Sequence, residues 1–135
     1  MQGDEPRSEP KRILIVEDNE LNMKLLNDVL EAHGYEIIAS CRGGTALHLA
    51  RQHRPVLILM DIQLPDISGL EAARQLKDDA ETRAIPIIAI TAFAMGGDER
   101  KALTSGCDGY IAKPIRLREF LDTVEAFIGE AEPPP

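Results

Sequence analysis

The stretch Val56-Leu57-Ile58-Leu59-Met60 is five consecutive apolar residues, and it stops on a carboxylate, Asp61. A run with no polar alternation fits a strand covered on both faces, as in a parallel sheet between two layers of helices. A charge at the carboxyl end of a central parallel strand lies where open α/β sheets build their ligand sites. An acid can equally open the turn Ile62-Gln63-Leu64-Pro65-Asp66, as acids do near turns. The run alone does not choose between the two.

The same signal recurs along the chain. Lys11–Val16 reads as a first strand that ends on Glu17-Asp18. Asn19 is placed to cap a helix over about 20–32, closed by Gly34. Helical spacing puts Leu21, Leu25, Val29 and Ala32 on one face, with Leu26 and Leu30 broadening it. Tyr35–Ser40 is a shorter and more polar strand, suited to a sheet edge, and Gly43-Gly44 leads into a second helix over about 44–53. After the Pro65 loop, Ser68-Gly69-Leu70-Glu71 matches a capping box for a third helix ending near Asp78. Ile87–Thr91 is a fourth strand, again apolar until its hydroxyl. A fourth helix over about 97–105 is entered through Ala94-Met95-Gly96-Gly97, a poor helix-forming sequence expected to fray or move. Gly109–Lys113 is a fifth strand, and a fifth helix over about 117–128 turns Leu117, Phe120, Leu121, Val124 and Phe127/Ile128 inward.

Five strands alternating with five helices predict an α/β fold, a doubly wound parallel sheet with right-handed crossovers. Placing the three most apolar strands centrally gives the order 2-1-3-4-5, a flavodoxin-like arrangement. One domain spans 11–128, flanked by polar tails at 1–10 and 129–135 that are expected to be disordered.

Composition narrows the function classes. Aromatics make up 4% of the chain and Trp is absent, so the core is aliphatic and a base-stacking surface is not expected. The net charge is -8, half of it in the two tails, which argues against nucleic-acid binding. Cys41 and Cys107 have neither metal-ligand nor redox-motif spacing and read as buried free thiols near opposite sheet edges. No stretch has the length of a membrane span or the make-up of a signal peptide, so a cytoplasmic location is expected.

The strand order brings the strand ends to one mouth: Glu17 and Asp18 from strand 1, Asp61 from strand 3, Thr91 from strand 4 and Lys113 from strand 5. Singly, each has an ordinary explanation: a capping pair of acids, a β-branched strand residue, a charge on an edge. Together they supply what phosphoryl transfer needs. Clustered carboxylates call for a cation, and an oxygen-only set suits Mg²⁺. Asp61 would be the nucleophile, Lys113 would neutralise the phosphoryl oxygens, and Thr91 would donate a hydrogen bond to one of them.

The motifs LIVED-N at 14–19, LILMDIQLP--SG at 57–69, IIAITA at 87–92 and YIAKPI at 110–115 resemble the receiver domain of bacterial two-component response regulators. The words NELNMKLL and TAFAMGGDE are similar to those of single-domain cell-cycle regulators within that family. The resemblance implies that Asp61 accepts a phosphoryl group from a histidine kinase or histidine phosphotransfer protein. It implies a Mg²⁺ site formed by Asp18, Asp61 and the main-chain carbonyl of Gln63. Glu17 stands where the family more often has Asp, and its longer side chain is expected to reach the metal through water. Thr91 and Tyr110 match the switch pair, Lys113 the conserved lysine, and the Lys113-Pro114 bond is expected to be cis. Phe93, flanking the site, is expected to hinder an in-line water and slow autodephosphorylation. Output is expected through protein binding on the helix 4–strand 5–helix 5 face. Two alternatives stay open: a receiver excised from a hybrid histidine kinase, and a phospho-independent binding module. A nucleotide-binding enzyme would need a Gly-rich loop after strand 1, which is lacking.

Overall fold

The computed structural model describes residues 11–91 and 98–129. Its elements are β1 (Arg12–Val16), α1 (Glu20–Ala32), β2 (Glu36–Ser40), α2 (Ala46–His53), β3 (Leu57–Asp61), α3 (Gly69–Asp78), β4 (Ile87–Thr91), α4 (Asp98–Thr104), β5 (Gly109–Ala112) and α5 (Leu117–Ile128). All strand pairs are parallel and the order is β2-β1-β3-β4-β5, as expected. Phe93 and the 94–97 helix entry lie outside the described residues.

Alternate side chains of the three central strands feed opposite cores, which is why these strands are apolar throughout. Leu14, Val16, Ile58, Met60, Ile87 and Ala89 pack with Ala46 and Ala50 of α2, Ala72, Ala73 and Leu76 of α3, and Ala102 of α4. Ile13, Ile15, Leu57, Leu59, Ile88 and Ile90 pack with Leu26 and Leu30 of α1 and Phe120 and Val124 of α5.

Several expectations shift. On α1 the buried row is Leu26 and Leu30, whereas Leu21 is 79% exposed and Leu25 38%. The helix carries two apolar rows, and spacing alone does not say which one the sheet takes. On α5, Phe120 and Val124 are fully buried but Leu117 and Phe127 are half-exposed. Phe127 lies over Gly109, where an added Cβ would come within 2.9 Å of its ring. Val56 falls before β3 and is half-exposed, its amide donating to the Arg12 carbonyl. A 3-10 turn over Gly43–Thr45 precedes α2, so that helix begins at Ala46. Ser68 Oγ does cap α3, accepting from Leu70 N–H at 3.1 Å, but Glu71 pairs with Arg74 rather than closing the capping box. Cys41 is exposed, against expectation, while Cys107 is buried and its thiol is pushed up to about 11 by that burial.

Gly69 is the tightest point near the sheet's carboxyl edge. Its amide donates to the Ile62 carbonyl at 2.9 Å, and an added Cβ would lie 2.1 Å from the Asp61 carbonyl oxygen. Gly69→Ala must therefore push the β3 terminus aside, at an expected cost of about 2–3 kcal/mol. Urea denaturation should show a lower midpoint with an unchanged slope; an unaltered midpoint would show that the loop yields freely.

Candidate functional site

Parallel pairing sets which side chains meet at the carboxyl edge. Val16 is level with Met60, so Glu17 and Asp61 emerge side by side; Thr91 is level with Ala112, so Lys113 emerges just beyond it. The Lys113 amide donates to the Thr91 carbonyl at 2.7 Å, and the following Lys113-Pro114 bond is cis, as expected.

Asp61 is 2% exposed, and both of its carboxylate oxygens are engaged. Oδ1 accepts from Gln63 N–H at 2.9 Å and Oδ2 from Lys113 Nζ at 3.0 Å. Glu17 is equally buried, and its Oε2 accepts from Asn19 N–H at 3.1 Å. Its Oε1 is buried without a hydrogen-bond partner, 3.6 Å from Lys113 Nζ. Burial, and then the neighbouring Asp61 carboxylate, push the Glu17 carboxyl up to about 7, with Asn19 N–H and Lys113 pulling the other way. For Lys113, burial lowers the pKa, but the hydrogen bond and charge of Asp61 and the charge of Glu17 more than offset it. The ammonium stays protonated.

Asp18 is exposed and stands beside this pair; Glu17, Asp18 and Asp61 each offer an oxygen within 4.8 Å of the others. The three line a hollow of about 680 Å³, shared with Asn19, Gln63 and Lys113. A buried carboxylate oxygen without a donor is costly unless something positive or a donating water meets it. The donor set is all oxygen, which fits a hard divalent cation. Thr91, 1% exposed, ends β4 at the same edge. Tyr110 does not join the cluster: it is 36% exposed on β5, level with Ala89 on the side of the sheet that α4 covers.

Three residues do more at this edge than their motif positions foretold. Asn19 serves twice, capping α1 through its side chain and orienting Glu17 through its amide. Gly69 admits the loop end against β3. Asp66, read only as a turn residue, accepts from Gly43 N–H at 2.9 Å and Gly44 N–H at 2.8 Å, across to the turn before α2. The pairing of a loop acid with two distant glycine amides leaves no local sequence signal.

The chain is 58% identical over 122 residues to the polar-differentiation response regulator DivK of Brucella anthropi, covering 90% of this chain and 99% of that one. DivK of Brucella ovis is 57% identical over 121 residues, covering 90% and 98%. Among solved structures, the receiver domain of a sensor histidine kinase from Pseudomonas aeruginosa superposes with a TM-score of 0.83 at 35% identity, covering 90% of this chain and 99% of that one. That structure has magnesium coordinated in its active-site cleft. A chain of the Saccharomyces cerevisiae complex between the phosphotransfer protein Ypd1 and the receiver domain of Ssk1 superposes with a TM-score of 0.80 at 33% identity, covering 87% and 88%. Residues 13–125 match the response regulator receiver domain, and this chain belongs to that family.

Proposed function

We propose that Asp61 accepts a phosphoryl group from a phosphohistidine on a histidine kinase or phosphotransfer protein, and that the protein signals through the resulting acyl phosphate. The observation that carries this reading is the Lys113 ammonium 3.0 Å from a buried Asp61 carboxylate, beside the unpartnered oxygen of Glu17. In the transfer, an Asp61 oxygen bonds to phosphorus as the P–N bond breaks, and the bonding pair leaves on the imidazole nitrogen. Lys113 moves its hydrogen bond from Asp61 to a phosphoryl oxygen, keeping the site's charge balanced. The Thr91 hydroxyl donates to a second phosphoryl oxygen. Gln63 N–H holds the other Asp61 oxygen, so the nucleophile is oriented before the donor arrives.

Mg²⁺ would be held by Asp18, Asp61 and the Gln63 main-chain carbonyl, with Glu17 reaching it through water, and would neutralise charge on the transferring group. That water would give the buried Glu17 Oε1, which has only the Lys113 charge 3.6 Å away, a hydrogen-bond donor.

Output is assigned to the surface of α4, β5 and α5. Leu103 of α4 is 48% exposed and Tyr110 of β5 is 36% exposed, so apolar surface is already displayed there. A hollow of about 520 Å³ beside β5 and α5 is lined from Tyr110 to Lys113, and Lys113 also borders the acidic hollow. Thr91 and Tyr110 form the switch, and the similarity to Brucella polar-differentiation response regulators fits an output in cell-cycle or cell-division control. Among the described residues no helix is long and apolar enough to cross a membrane. Slow autodephosphorylation is assigned on the apolar character of Phe93.

Two outcomes follow. Intact mass after incubation with acetyl phosphate and Mg²⁺ should rise by one phosphoryl group in the parent and not in Asp61→Asn; no adduct in the parent would refute the reading. Glu17→Gln removes one of two facing carboxylates and supplies an amide donor to Asp61. Without divalent cation its melting temperature should rise by about 4 °C, equivalent to about 1 kcal/mol at this length, while Mg²⁺ binds ~10-fold more weakly. A lower melting temperature with unchanged Mg²⁺ affinity would show Glu17 to be an ordinary structural acid.

A further inference from the structure

The loop that follows Asp61 has to meet a demanding condition. Its second residue, Gln63, holds Asp61 Oδ1 through its amide and lines the acidic hollow. An error of a few tenths of an ångström in this loop would therefore turn the nucleophile itself. The loop's base is secured at both ends: Ile62 N–H donates to the Ile90 carbonyl at 3.0 Å, and Gly69 N–H to the Ile62 carbonyl at 2.9 Å.

The apex is secured differently. The two Asp66 oxygens each accept one amide, Oδ1 from Gly43 and Oδ2 from Gly44. These amides open the turn into α2, where neither Arg42 nor Thr45 provides a side-chain cap. Asp66 is therefore a cap supplied from another element, and the positive end of α2 holds a carboxylate belonging to the phosphoacceptor loop. The amide bonds hold the Asp66 carboxyl below the usual carboxylate value, Gly44 foremost. Apolar contacts support the same junction: a Cβ at Gly43 would meet Ile67 Cγ1 at 2.9 Å and Leu64 Cδ1 at 3.0 Å.

We propose that Asp66 is a positioning residue for the phosphoryl-transfer site, clamping the β3–α3 loop to the start of α2 so that Gln63 presents its main chain to Asp61 and to the cation. The inference rests on the reading of Asp61 as phosphoacceptor. It also makes the start of α2 a control point, since anything that shifts the Gly43–Gly44 amides shifts the loop that orients Asp61.

Gly44 provides an unusually clean test. A Cβ there would have one atom within 4 Å, Asp66 Oδ2 at 2.8 Å, and Gly44 is not among the residues of positive φ. Gly44→Ala therefore perturbs the site through Asp66. Mg²⁺ affinity by calorimetry and acetyl-phosphate uptake by intact mass would be measured for Asp66→Ala, Gly44→Ala and the double variant, at a temperature where each is fully folded. Asp66→Ala should weaken Mg²⁺ ~10-fold, in the range of supporting residues around metal sites, and slow uptake comparably. Gly44→Ala should act in the same direction, and should add nothing once Asp66 is gone. Asp66→Asn, which keeps one acceptor oxygen, should fall between, and it stands in if the alanine variant does not fold. A variant that melts lower yet keeps the parent's Mg²⁺ affinity and uptake rate would reduce Asp66 to a structural cap and overturn the proposal, as would full additivity of the two substitutions. Failure of the parent to take up phosphoryl would instead refute the underlying reading of Asp61.

Discussion

Two carboxylates that repel one another, Glu17 and Asp61, are held side by side at the ends of adjacent buried strands, and a single ammonium, Lys113, lies within 3.0 Å of one and 3.6 Å of the other. That arrangement opposes folding in isolation, because facing buried carboxylates and an oxygen without a hydrogen bond cost free energy. It persists because the strands that carry it are fixed by two apolar cores, one on each face of the sheet. The stability lies in the layers and the chemistry at their edge. Strain of this kind is what a site needs if it is to favour a cation and an incoming phosphoryl group over the empty state.

The same geometry explains how a local event can become a distant one. Lys113 follows β5 directly, and its amide is bonded to the Thr91 carbonyl at the end of β4. Under the proposed transfer, moving the lysine's hydrogen bond from Asp61 to a phosphoryl oxygen would act on both strand ends at once. Tyr110 lies three residues before Lys113, half-exposed on the side facing α4. On the opposite flank, Asp66 connects the Asp61 loop to α2 through two amides. The site is thus tied to the sheet's α4–β5 side by covalent continuity and to α2 by a polar contact.

Much of this was legible in the chain itself, for a physical reason. Continuous apolar runs such as Ile13–Val16, Leu57–Met60 and Ile87–Ile90 can satisfy only strands buried on both faces, and their abrupt polar ends mark the sheet's edge. Strand order then follows from polarity, and strand order brings Glu17, Asp61, Thr91 and Lys113 together. Periodicity failed where two solutions were equally periodic. On α1 it could not choose between the row of Leu21 and Leu25 and the row of Leu26 and Leu30, because both repeat every four residues. Contacts between distant main-chain amides and single side chains were also invisible, as with Asp66 on Gly43 and Gly44. Such contacts depend on where two loops meet in space, which no local spacing encodes.

Under the proposed function one carboxylate among three neighbours, Asp61, is the nucleophile, and Glu17 and Asp18 serve the cation. The direct measurement is reductive trapping. Borohydride reduces an acyl phosphate to the alcohol, so a phosphorylated Asp becomes homoserine and a phosphorylated Glu its longer homologue, and peptide mass mapping locates either one. After acetyl phosphate and Mg²⁺, homoserine is expected at position 61 alone. Trapping at Glu17 or Asp18, or an unchanged position 61 in protein that carries the phosphoryl mass, would contradict it.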